Sequence, residues 1–148
     1  MKGGEKLEYL LIIPGRLDNL NDFIRADKAS RYKGGDLKRK NQDIVSLYIR
    51  NQLRGIHITK TVFMKYTWVE KDKRRDLDNI SSFGRKVIQD ALVNCGVLKN
   101  DGWDKISGFT DTFCVDKEHP RIEVTITELT PEQAKMKSRD LLKNLGTG

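Results

Sequence analysis

Apolar and polar positions change their period several times along the chain, and each change marks an element. Residues 7–14, Leu-Glu-Tyr-Leu-Leu-Ile-Ile-Pro, form a short apolar run that predicts a buried strand. Residues 18–28 predict a short helix with Asp18 or Asn19 as its N-cap. Tyr32-Lys33-Gly34-Gly35 holds two adjacent glycines and predicts a loop. From about Asp36 the spacing of Ile44, Leu47, Tyr48 and Leu53 is helical, with Gly55 as a candidate C-terminal stop. Residues 56–68 are rich in β-branched and aromatic side chains and predict a strand or a long hairpin arm. After the charged run Lys71-Asp72-Lys73-Arg74-Arg75, a helix is predicted to start between Asp78 and Ser82 and to end near Asn94. Its apolar face is Ile80, Phe83, Val87, Ala91 and Cys95, and Gly96 stops it. Lys99-Asn100-Asp101-Gly102 predicts a turn and residues 103–115 a strand. The turn Lys117-Glu118-His119-Pro120 leads into residues 121–127, which alternate strictly as a half-buried strand does. Pro131 opens a charged C-terminal helix, and residues 1–6 and 145–148 read as flexible ends. With no repeat, no linker and no βαβ rhythm, the pattern predicts one α+β domain over residues 1–148, a mixed sheet with helices packed on one face.

Composition adds a partner class. The 148 residues are 37% hydrophobic and 33% charged, with a net charge of +7. A positive field of that size favours a polyanion. Cys95 and Cys114 form no CxxC pair and read as free thiols of a reducing compartment. His57 and His119 are far apart and lack zinc-ligand spacing. No stretch approaches the ~20 apolar residues of a membrane span, and the N-terminus lacks the apolar region of a signal peptide. A cytoplasmic protein with no membrane partner is expected.

The candidate chemistry lies in Arg74-Arg75-Asp76-Leu77-Asp78-Asn79. On an extended chain Asp76 and Asp78 face the same way. Two close carboxylates repel unless a cation neutralises them, and Mg²⁺ accepts one or two carboxylates with waters and phosphate oxygens. Asp101, on the turn after the helix, is a third candidate ligand if the helix returns antiparallel to the strand. Such a triad suits one or two Mg²⁺ ions, which would activate water and polarise a scissile phosphate. An ordinary role accounts for the same residues: a helix cap, an arginine's partner and a turn residue. An EF-hand is excluded, because a loop starting at Asp76 has Ile80 and Ser81 where a ligand and glycine are needed. Basic residues beside the acids suit a phosphate substrate: Lys71, Lys73, Arg74 and Arg75 just upstream, and Lys38, Arg39 and Lys40 within a larger basic stretch, with Arg85 downstream.

In order, Arg75-Asp76-Leu77-Asp78-Asn79, Asp90-Ala91-Leu92, Gly96-Val97-Leu98 and Asn100-Asp101 resemble the RusA family of Holliday-junction resolvases. Residues 121–129 are similar to the family's last strand. The resemblance covers roughly residues 7–130 and is weakest between Gly15 and Asn51. It implies an α+β homodimer that binds four-way DNA junctions and cuts two opposing strands with Mg²⁺, with Mn²⁺ as a substitute. It also implies that Asp76, Asp78 and Asp101 are catalytic metal ligands and that Lys86 is a catalytic residue at the scissile phosphate. The chain departs from the family in about four extra residues before Lys86. They leave Lys86, Arg85 or Ser82 to take the lysine's place. Asn100 stands where the family often has an acid, and the family's proline-rich N-terminal loop is missing. The alternatives are a branched-DNA-binding protein without catalysis, or a Mg²⁺ nuclease of another branched or single-stranded DNA.

Overall fold

A computed structural model describes residues 7–146. The predicted flexible ends at 1–6 and 147–148 lie outside the described residues. The elements run β1 (Glu8–Pro14), α1 (Leu20–Ala29), α2 (Arg31–Gln52), β2 (Val62–Glu70), α3 (Leu77–Asn94), β3 (Ile106–Val115), β4 (Arg121–Glu128), α4 (Pro131–Ala134) and α5 (Ser138–Asn144). The sheet order is β1-β4-β2-β3. β4 pairs antiparallel with both β1 and β2, while β2 and β3 are parallel. The sheet is therefore mixed and the fold is α+β, as expected. The parallel pair is joined through α3, so one βαβ unit exists that the sequence pattern did not reveal.

Local chemistry explains most boundaries. Asn19 caps α1 in a reciprocal box: its Oδ1 accepts from the Asp22 amide at 2.9 Å, and Asp22 Oδ2 accepts from the Asn19 amide at 2.9 Å. The predicted loop at Tyr32–Gly35 is instead the first turn of α2. Ser30 Oγ accepts from the Lys33 amide at 3.0 Å and starts that helix. A Cβ on Gly34 would lie 2.6 Å from Asp27 Oδ1 in α1, so this glycine allows two helices to approach closely rather than breaking one. The strand predicted from residue 56 begins only at Val62, and Ile58 makes an isolated bridge with Leu98. The strand predicted from Trp103 begins at Ile106. The predicted C-terminal helix is two short ones.

The main core joins Leu11, Ile13, Tyr66, Trp68, Val124 and Ile126 of the sheet to Val45 and Ile49 of α2 and to Phe83, Val87 and Ala91 of α3. A second cluster packs Phe63 against Leu129, Leu141 and Leu145. Phe63 alternates with Val62 and Met64 of the main core, so α5 covers the opposite face of the sheet. Helices on one face only is thus corrected. Leu145, expected in a flexible end, is buried.

Candidate functional site

A cavity of about 920 Å³ opens where β2 and β3 end and α3 begins. Its lining includes Glu70, Asp72, Lys73, Arg74, Arg75 and Asp76, with Phe113, Cys114 and Val115 from β3. Parallel strands joined by a helix leave such a crevice at their carboxyl ends, where the helix N-terminus also points.

The acidic pair is not on a strand. β2 stops at Glu70, Asp76 is the N-cap of α3, and Asp78 lies in its first turn. The same-side argument for an extended chain therefore does not apply. Asp76 Oδ2 accepts from the Asn79 amide at 3.4 Å, a long capping bond. Both carboxylates are exposed at the positive end of the helix dipole, which favours acids there without any metal.

The basic residues divide into two groups. Arg75 is structural: its guanidinium donates to both Glu70 carboxylate oxygens at 2.9 and 3.1 Å and to the Leu17 carbonyl at 2.8 Å. Glu70 is buried, and Arg16 stands 3.8 Å from its carboxylate. This buried pairing removes Arg75 from the residues expected to reach DNA. Lys71, Lys73 and Arg74 are exposed, and Arg74 lies 3.7 Å from Asp72. In α2, Lys40 is exposed, Arg39 pairs with Asp36 at 2.8 Å, and Lys38 reaches Asp90 of α3 at 3.5 Å.

The helix α3 is continuous, so residues 80–83 are an extra helical turn and not a bulge. Ser81 and Ser82 donate to the carbonyls of Leu77 and Asp78 one turn back. Lys86 is consequently two turns from Asp78, a rise of roughly 12 Å. It does not reach back. Its Nζ lies 3.0 Å from Asp101 Oδ2 and 3.1 Å from Asp90 Oδ1, and these hydrogen bonds, Asp101's first, raise its pKa. Lys86 is thus a fixed ammonium, unsuited to act as a base. Arg85 is also engaged. It pairs with Asp111 of β3, and its guanidinium sits 4.3 Å from the Phe109 ring centre. Asp111 also accepts from Trp68 Nε1 at 2.9 Å.

Asp101 therefore belongs to a second, smaller cavity of about 320 Å³ with Gln42, Lys86, Asp90 and Asn100. The expected triad is not assembled: among the described residues, no group of three or more His, Cys, Asp or Glu side chains is placed to hold a metal. Asp76 and Asp78 supply the hard carboxylates that Mg²⁺ takes alongside water and phosphate oxygens, and of the two Asp76 lines the large cavity. The residues that sequence reasoning missed are Glu70, Asp90 and Asp111. Glu70 ends a run of apolar strand residues, and that buried position was the available signal.

No helix among the described residues is long and apolar enough to cross a membrane. No family model matches the chain, and no curated protein matches it either.

Proposed function

We propose that this protein is a Mg²⁺-dependent, structure-selective endonuclease of branched DNA, acting as a homodimer on four-way junctions in the manner of the RusA family it resembles. The observation that carries the reading is the cavity at the start of α3, where the candidate metal ligand Asp76 meets Lys73 and Arg74. Acids alone would repel a phosphodiester, and exposed cations beside them attract it. Asp76 and Asp78 would hold Mg²⁺, which when bound supplies Lewis-acid activation of water and phosphate. Lys71, Lys73 and Arg74 would position the DNA backbone. Lys86, held as an ammonium by Asp101 and Asp90, would contact a phosphate by exchanging one of those carboxylates for it. A two-fold dimer supplies the two sites that paired cuts require.

A second reading, branched-DNA binding without cleavage, is favoured by one observation: Asp101 is held by Lys86 and not beside Asp76 and Asp78. Incubation with a synthetic four-way junction, a flap and a linear duplex, with and without Mg²⁺, separates the two. Symmetric nicks confined to the junction support the proposal. Cutting only the flap moves the activity to another branched substrate. Binding without nicks at any Mg²⁺ or Mn²⁺ concentration overturns the enzymatic reading. In the active case Asp78→Asn abolishes cutting and preserves binding.

A further inference from the structure

Trp103 is 98% exposed and shares a groove with a second exposed aromatic, Phe109. The turn that carries Trp103 is well anchored. Asn100 Oδ1 accepts from the Gly102 amide at 2.8 Å, the Gly102 carbonyl accepts from the Ile106 amide at 2.9 Å, and Lys105 Nζ donates to the Thr59 carbonyl at 3.0 Å. Thr61 Oγ1 donates to the Asp104 carbonyl at 2.6 Å. The backbone that presents the ring to solvent is therefore anchored at several points. The ring borders a groove of about 380 Å³ together with Phe109, Gln89, Ser107 and Asp101. Phe109 is 45% exposed, and Arg85 is stacked against its ring.

We propose that Trp103 and Phe109 form a stacking platform for an unpaired DNA base. The inference rests on the DNA reading above but not on cleavage. A base offers a flat π-face to the rings and polar edges to Gln89, whose Nε2 also donates to Tyr66 Oη at 3.1 Å, and to Ser107, whose Oγ also donates to the Val62 carbonyl at 3.5 Å. Bases inside a duplex are already stacked, so only a branch point or single strand has one to give. Charge favours this occupant over a protein segment. The chain carries +7, exposed Lys99 offsets exposed Asp104 on the same turn, and Asp101 in the lining is matched by Lys86, so no unmatched acid of the groove opposes a phosphate. The groove adjoins the Asp101 cavity, so a base held there places the neighbouring phosphate near Lys86.

The test measures affinity, in EDTA, for a single strand carrying 2-aminopurine and for its fully paired duplex. Trp103→Ala should weaken single-strand binding about five- to a hundredfold, abolish the quenching of 2-aminopurine, and leave duplex affinity within about twofold. Trp103→Phe should keep most of the binding. Equal affinities of wild type and Trp103→Ala for the single strand overturn the platform and leave the ring to a protein partner. Equal losses on strand and duplex overturn it as well. A wild type that binds neither DNA overturns both this inference and the proposed function, whereas a cutting enzyme indifferent to Trp103→Ala overturns this inference alone.

Discussion

Gly84 and Trp68 decide how closely α3 can lie on the sheet. A Cβ at position 84 would stand 2.6 Å from two atoms of the Trp68 ring. That ring has little room to yield: it is buried, stacked on Tyr66 at 5.6 Å, and hydrogen-bonded through Nε1 to Asp111. Two effects oppose each other in Gly84→Ala. Alanine favours a helix by ~1 kcal/mol over glycine, and overpacking costs about 1–3 kcal/mol. Since the ring is pinned, the overlap should win, and the melting temperature should fall; a rise would refute the close approach. Arg75 tests a different residue-scale claim. Its removal leaves the buried Glu70 carboxylate with only the longer Arg16 contact at 3.8 Å, so Arg75→Met should cost up to about 3–5 kcal/mol in urea denaturation. Arg74→Ala, one residue away on an exposed side chain, should stay within about 0.5 kcal/mol. Equal losses for the two would contradict the structural role given to Arg75.

At the scale of elements, what was legible in the sequence had a local cause. The Asn19 cap, the strict alternation of β4 and the apolar face of α3 need only short-range chemistry, and each lies where the pattern placed it. What was not legible depends on contacts between elements. Gly34 resembles a loop residue until Asp27 of α1 is seen against it. The parallel pairing of β2 with β3 has no signature in either strand alone, and without it the position of Asp101 was misjudged. A crossover helix carries the chain back along the sheet, so the turn after α3 lies at the end opposite Asp76. The extra turn at residues 80–83 has the same consequence for Lys86. This arrangement has a measurable signature in alkali. The Lys86 pKa is raised by Asp101 and then Asp90. A raised folded-state pKa means that the pairing stabilises the fold fully below the unfolded value of ~10.4 and is lost as pH rises through the folded value. The stability difference between wild type and Lys86→Met should therefore be constant from about pH 7 to 9 and shrink above ~10.5. A difference that persists unchanged at higher pH would assign Lys86's contribution to packing of its stem.

Over the whole molecule, the net charge of +7 does not say which cations are available to a partner. Arg75 is consumed by Glu70, Arg85 by Asp111, and Lys38 and Lys86 by Asp90 and Asp101. Exposed cations beside the large cavity include Lys71, Lys73 and Arg74, all on the six-residue crossing from β2 to α3. If DNA lies across this end of the sheet, those side chains should supply the counterion release. Each phosphate contact contributes about 0.9 to the slope of log affinity against log salt on B-DNA. Replacing Lys71, Lys73 and Arg74 together by alanine should flatten the slope by roughly 2–3 units if each makes one contact. The fold should be little changed, because none of the three is buried. Junction binding by fluorescence anisotropy over a range of salt concentrations measures this directly. An unchanged slope would move the DNA away from the β2–α3 crossing, and with it the reason for treating Asp76 and Asp78 as more than the cap and first turn of a helix.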